Sequence, residues 1–328
     1  MHQSRHAEAT FASDVADGLT TALRQLLTPF GLSDHLGLLS GGRLLRTRIA
    51  YLAAGSVRHA GLLDACVAME LLHASTLVHD DVVDRATLRR GYATISASEG
   101  AEKAILLGNA LASSAFRRFE QVGAGEMAFD AAFAWDRVNE AQLLELNSRG
   151  HVEKSIDQYL EVCRGKTSAM FILAAQLGGQ VAEDGRVRLD DRLIDAIGAF
   201  GIAFQLSDDI EDVEEWWTST ETHASKSAQF DIELGNYTAP IILAAQSLAP
   251  SADIRSIDPR QIDDWQPGLT GAEALRDAHA EDCRRWLATV EDSGSGASQR
   301  IARALAPFLG TMLADLRSSG IDKALTMP

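Results

Sequence analysis

Residues Leu71 to Gly91 read LLHASTLVHDDVVDRATLRRG. Three aspartates, Asp80, Asp81 and Asp84, stand just before an arginine pair, Arg89 and Arg90. The run from Leu62 to Arg85 holds neither Gly nor Pro, and its apolar residues recur at helical spacing. A helix of that length spans roughly 36 Å at 1.5 Å per residue. Asp80 and Asp84 are four apart and Asp81 and Asp84 three apart, so the spacing gathers three carboxylates near one end of one face. Met69, Leu72, Thr76 and Asp80 form a stripe by the same rule, and Gly91 marks a turn. A second cluster follows far downstream in QLSDDIEDV, where Asp208, Asp209 and Asp212 repeat the spacing after the apolar run AFQL. Acid, base and acid again point to divalent cations holding a polyanion, with a diphosphate as the natural candidate.

Working outward, the chain has 328 residues and no proline between Pro29 and Pro240. Proline inside a helix costs about 3 kcal/mol, so this run permits long uninterrupted helices. Helical patterns are expected over 14–30, 101–121, 129–148, 155–177, 190–217, 271–291 and 298–317, with Gly150 and Gly178-Gly179 closing two of them. Gly41-Gly42 break the chain before a helix predicted to carry Arg43, Arg46 and Arg48, with Arg43 and Arg46 on one face. No repeat or low-complexity linker divides the sequence, and the expectation is a single all-α domain over 1–328 with roughly ten helices around one core.

The formal net charge of −16 argues against a nucleic-acid partner, because phosphate-backbone binding needs clustered Lys and Arg. Cys66, Cys163 and Cys283 form no CxxC, so neither a zinc site nor a disulfide framework is indicated. The N-terminus lacks the apolar core of a signal peptide, and no 18-residue apolar run suggests a membrane span. A cytoplasmic protein is expected.

Six aspartates facing one site repel strongly: two like charges about 4 Å apart cost roughly 4 kcal/mol at an effective dielectric of 20. Oxygen-only ligands fit Mg²⁺ or Mn²⁺ better than zinc, and Mg²⁺ takes one or two carboxylates while leaving its other positions to water and phosphate. His79-Asp80 also matches the HD pair of a phosphohydrolase, with His59 and His73 as further ligands, but that reading leaves the second aspartate cluster without a role. Adjacent residues on a regular helix point about 100° apart, so Arg89 and Arg90 suit two anions better than one.

From Gly41 to about Ala245 the chain resembles a trans-isoprenyl (polyprenyl) diphosphate synthase. HDDVVDRATLRRG is similar to the family's first aspartate-rich motif and FQLSDDIED to its second. GGRLLR, RGKT and LGNYTAPIILA are similar to segments between and after them. The resemblance implies the all-α isoprenoid synthase type I fold, helices around a central cavity and a homodimer. It also implies about three Mg²⁺ ions, and a reaction in which an allylic diphosphate ionises and isopentenyl diphosphate attacks the cation. By motif position it implies Asp80, Asp84 and Asp208 as principal metal ligands, with Asp81 and Asp212 supporting. Arg89, Lys166, Thr167, Gln205 and Lys226 would hold the allylic substrate, and Arg43, Arg46, His73 and Arg90 isopentenyl diphosphate. The catalytic set is then Asp80, Asp81, Asp84, Arg89, Lys166 and Asp208.

The chain departs from the family pattern at several positions. Arg43-Leu44 replaces Lys-Arg, Thr47 a proline, Asn109 an aspartate and Asn236 a lysine, and Trp216-Trp217 lie in an unusually long, aromatic stretch. Leu72, Ser75 and Thr76, one and two turns before Asp80, place no Phe or Tyr as a floor for the growing chain. This predicts a product of C20 or longer. Two other readings share the motifs. One is a same-fold prenyltransferase with a different acceptor, or a terpene cyclase; the other is a non-catalytic partner subunit, which would have no need of two intact aspartate motifs.

Overall fold

The computed structural model describes residues 2–123, 126–183, 185, 187–218, 227–248, 254–294 and 296–318. In chain order the helices are α1 (His2–Leu27), α2 (Leu36–Ser40), α3 (Leu45–Ala53), α4 (Leu62–Val83), α5 (Ile95–Glu99), α6 (Ala101–Gly123) and α7 (Glu126–Asn147). They continue with α8 (Ile156–Cys163), α9 (Ala169–Ala182), α10 (Asp191–Thr218), α11 (Ser227–Leu234), α12 (Ala239–Leu248), α13 (Gln266–Ser293) and α14 (Gly296–Ser318). Among the described residues the one extended pairing joins β1 (Leu88–Arg89) to β2 (Tyr92–Ala93), antiparallel, with Arg89 opposite Tyr92. The described residues form two compact units. One is drawn from Met1–Trp135, Met170–Asp190 and Gly294–Leu305, the other from Asp136–Ala169, Asp191–Ser293 and Ala306–Pro328.

The first unit is built on α4, which packs chiefly on α6 and also meets α1, α3 and α5. Leu62, Cys66, Met69, Leu72 and Val78 are fully enclosed, although they point in several directions around the helix axis. A helix apolar on all sides must be covered on all sides. Among the described residues α4 alone is long and apolar enough to cross a membrane, but 67% of that window is buried, which marks a core helix. Two small contacts seat α6 against it. Ser75 Oγ donates to the Gly108 carbonyl at 2.7 Å, and a side chain at Gly108 would collide with the His79 imidazole. The helix ends where the aspartates lie: Asp84 caps it and Arg85 turns left-handed at φ 53°.

Three sequence expectations differ in this unit. The helix expected over 14–30 starts at His2, twelve residues earlier, and ends at Leu27. Arg43 is not on the helix with Arg46, because Leu44 takes a left-handed conformation (φ 48°) and α3 starts only at Leu45. Gly178 and Gly179 do not end their helix, since α9 runs through both to Ala182. Their role is close packing: a methyl at Gly178 would sit 2.8 Å from Ala53 Cβ and against the Ala50 carbonyl.

The second unit is organised by α10, whose main neighbour is α13, with α8, α11, α12 and the 164–168 turn also in contact. Its core includes Tyr159, Cys163, Leu206, Ile210, Val213, Ile242 and Trp265. The helix expected over 155–177 is interrupted by a π-helical turn at Arg164–Ser168. Small residues let that turn lie close to its neighbours. A methyl on Gly201 would sit 2.7 Å from Ser168 Cα, and one on Gly165 would sit 2.7 Å from the Arg137 carbonyl oxygen. Trp216 packs edge-on against Trp265, ring centroids 5.3 Å apart, whereas Trp217 is exposed.

Candidate functional site

The first unit brings its arginines together from three short segments. Arg43 comes from the extended residues before α3, Arg46 from the first turn of α3, and Arg89 and Arg90 from the β1–β2 hairpin. Arg90 has φ 53° and precedes Gly91 at φ 79°, so the hairpin turns sharply there. The tight turn, rather than helical geometry, separates the two adjacent guanidiniums. Arg90 bonds back to the Gly41 carbonyl, and Arg89 Nε donates to Asp81 Oδ1 at 2.8 Å. Arg46 lies over the Phe171 ring, 5.3 Å from its centroid, and its Nε is buried without a hydrogen-bond partner.

Electrostatics tie this group together. Burial, then Arg89 and Arg43, push the Arg90 guanidinium pKa down; burial and Arg90 do the same to Arg46, against the opposing pull of Glu70. Glu70 is itself pushed up by burial and held back by Arg46 and by Thr47, whose hydroxyl donates to it at 2.8 Å. Burial, helped by Arg46, Arg90 and Arg89, puts His73 well below the usual imidazole range. His73 is therefore neutral at physiological pH. Four guanidiniums set against two buried carboxylates, Glu70 and Asp81, leave a cationic group suited to an anion. Glu70 was not singled out in the sequence, where its signal was a Glu at a core position of an apolar helix, and Thr47 was noted only as standing in place of a proline.

Asp80 and Asp84 are half-buried at the C-terminal end of α4, where the helix dipole adds to their negative potential. Asp81 is almost wholly buried and held by Arg89. Burial pushes its carboxyl up and Arg89 pulls it back. Leu72 and Ser75 are fully enclosed, Ser75 against α6, while Thr76 bonds to the His73 carbonyl at 2.7 Å. His79 packs at a tilt against Trp135, ring centroids 6.0 Å apart, and His59 lies 3.0 Å from the Ala54 carbonyl, so both imidazoles have partners other than Asp80.

The second unit repeats the pattern. Asp208 is exposed and Asp212 half-buried, whereas Asp209 is buried, accepting from Tyr159 Oη at 2.6 Å and from Gln205 Nε2 at 2.9 Å. Burial pushes Asp209 up to about 6 despite those two donors. Gln205 also bonds Thr167 at 2.8 Å, and Lys166 pairs with Glu145 at 2.7 Å, so Lys166, Thr167 and Gln205 are brought to one place by the π turn and α10. Lys226 lies outside the described residues. Asn236 accepts from Arg149 Nε at 2.7 Å, and Asn109 is exposed. Lys154, missed in the sequence, is buried with its ammonium 5.9 Å from the Tyr159 ring centroid.

Among the described residues no three His, Cys, Asp or Glu side chains form a ready metal-holding group. The donor set nevertheless fits a hard divalent cation. In each motif the middle aspartate is bonded to other side chains, and the pairs Asp80 with Asp84 and Asp208 with Asp212 offer oxygen-only donors of the kind Mg²⁺ takes.

A family model described as Polyprenyl synthetase matches residues 34–260. The chain is 33% identical over 213 residues to the all-trans-nonaprenyl-diphosphate synthase (geranyl-diphosphate specific) of Rhodobacter capsulatus, a match covering 63% of each chain. It is 30% identical over 245 residues to the octaprenyl diphosphate synthase of Escherichia coli (strain K12), covering 73% of this chain and 74% of that one. The crystal structure of a polyprenyl synthase from Caulobacter crescentus CB15, complexed with calcium and isoprenyl diphosphate, superposes with a TM-score of 0.67 at 25% identity. That superposition covers 91% of this chain and 97% of the other. The fold is the all-α isoprenoid synthase type I fold. With its guanidinium cluster, its two aspartate motifs and a family match over more than half its length, the chain belongs to the polyprenyl synthetase family.

Proposed function

We propose that this protein is a trans-prenyltransferase that condenses isopentenyl diphosphate with an allylic diphosphate and releases a polyprenyl diphosphate of C20 or longer. The observation that carries the reading is the guanidinium cluster around His73, in which Arg46, Arg89 and Arg90 all bear on the imidazole and Arg43 bears on Arg90. Arg43, Arg46, Arg90 and neutral His73 hold the diphosphate of isopentenyl diphosphate. In the second unit Lys166, with Thr167 and Gln205 beside it, holds the allylic diphosphate.

Mg²⁺ ions held by Asp80 and Asp84 and by Asp208 and Asp212 would supply Lewis-acid pull on the leaving diphosphate. The allylic C1–O bond breaks and its electron pair leaves with the diphosphate. The isopentenyl double bond then forms the new carbon–carbon bond at C1, and loss of one proton restores neutrality. The cationic side chains are already ordered by Asp81, Glu70 and Glu145, so little reorganisation accompanies the development of charge. The absence of an aromatic residue among Leu72, Ser75 and Thr76 supports a long product.

A second copy of the chain completes the proposed assembly. In the first unit Leu106, Phe129 and Phe133 are more than 60% exposed and Ile105 is 44% exposed, large apolar side chains that a partner surface would cover. The function is tested by incubating the protein with Mg²⁺, isopentenyl diphosphate and C5, C10, C15 or C20 allylic diphosphates and sizing the products by mass. Elongation beyond C15 is expected; failure with all four primers overturns the reading.

A further inference from the structure

Three hydrogen bonds in the second unit form a relay whose direction is set by its centre. Asp209 is 7% exposed and its carboxylate has only acceptors to offer. The Tyr159 hydroxyl, on α8, therefore donates to Oδ2 at 2.6 Å, and the Gln205 amide must turn its NH₂ to Oδ1 at 2.9 Å. That orientation leaves Gln205 Oε1 facing Thr167, whose hydroxyl proton is spent on it at 2.8 Å. Every member is buried or half-buried, Tyr159 at 4% and Thr167 at 8% exposure, so water cannot readily replace a lost partner. The Lys154 ammonium over the Tyr159 ring places a buried cation beside the relay.

We infer that Tyr159 is a positioning residue for the allylic diphosphate: by pinning Asp209 it sets the Gln205 amide, and through it the Thr167 hydroxyl next to Lys166. This rests on the function proposed above. Two consequences follow from the bonding. Asp209 is held inside the unit, apart from its exposed neighbour Asp208. Thr167 turns lone pairs, not its proton, away from Gln205, so it is matched to a donor such as an ammonium or a bound water. Removing the Tyr159 hydroxyl takes one of two donors from a buried carboxylate and frees Asp209 to rotate, so the Gln205 amide loses its fixed anchor.

The test measures calorimetric binding of geranyl diphosphate in Mg²⁺ to the full chain, which needs no turnover. Tyr159→Phe is expected to raise its Kd about tenfold, the loss of one buried hydrogen bond to a charged group. Thr167→Val is expected to do the same, and the double variant to bind no more weakly than the weaker single one. Binding of isopentenyl diphosphate should stay within about twofold in Tyr159→Phe, which separates positioning from general loosening. An unchanged Kd, an equal loss for both ligands, or multiplied effects in the double variant overturns the inference. Asp209→Asn, which keeps the side-chain volume but offers Gln205 a donor, is run alongside with the same expected and overturning results, so instability of one variant leaves the other to decide. Normal geranyl diphosphate binding by the parent without any elongation would count against the proposed function, not against the relay.

Discussion

Arg46→Met separates binding from stability at the guanidinium cluster. The substitution keeps a long apolar stem over Phe171 but removes the buried Nε donor and the charge that holds Glu70. A hydrogen bond to a charged group contributes about 1.5–3 kcal/mol, which is roughly 10–150-fold in affinity. The KM for isopentenyl diphosphate should rise by that factor, with the KM for the allylic substrate within about threefold.

Stability should respond differently. Glu70 already has a raised folded-state pKa from burial, and losing Arg46 raises it further. A group with a raised folded pKa contributes stability that is full below its unfolded pKa and is lost as pH rises through the folded value. The deficit in Tm of Arg46→Met should therefore be larger at pH 8 than at pH 5, and Glu70→Gln in the same chain should restore the pH 8 Tm without restoring the KM. Steady-state kinetics with each substrate varied in turn, together with calorimetric melting at the two pH values, read both effects. An isopentenyl diphosphate KM that stays unchanged, or that recovers with Glu70→Gln, would refute the reasoning.

Asp80→Ala or Asp84→Ala should lower turnover by on the order of a hundredfold or more while the melting temperature moves by only a few degrees, because these half-buried carboxylates are the proposed cation ligands and lie outside the core; turnover and differential scanning fluorimetry check this. Thr76→Phe should shorten the product, since Thr76 shares a face with His73 and Asp80, whereas Ser75→Phe should mainly lower stability by forcing α6 away at Gly108; product mass and melting temperature tell the two apart. Phe133→Asp should disrupt the proposed dimer, since Phe133 is a large apolar side chain 63% exposed, as read by light scattering after size exclusion.

Much of this was legible in the sequence because the signals were periodic. The absence of proline over two hundred residues, the apolar stripes and the repeated aspartate spacing all follow from helix geometry, and α4, α6, α7 and α10 lie close to where the pattern places them. What was not legible depends on a single backbone angle or on an approach between distant elements. Leu44 turns left-handed and takes Arg43 off its helix, although nothing in its side chain announces this. Gly178 looks like a stop but is a point of close packing, because the residue that needs the room, Ala50, is far away in sequence. The π turn at Arg164–Ser168 packs closely on its neighbours at Gly165 and Gly201, again through contacts that spacing does not record. The division of labour inside each aspartate motif was hidden for the same reason: Arg89 takes Asp81, and Tyr159 takes Asp209 from fifty residues away.

The central claim is that the arginine cluster and the two aspartate motifs serve chain elongation from isopentenyl diphosphate. Mass analysis of the products formed from geranyl diphosphate, isopentenyl diphosphate and Mg²⁺ tests it most directly. The account predicts a ladder of five-carbon additions ending at C20 or beyond. No consumption of isopentenyl diphosphate would contradict the claim itself, and release of only the C15 product would contradict the reading of Leu72, Ser75 and Thr76.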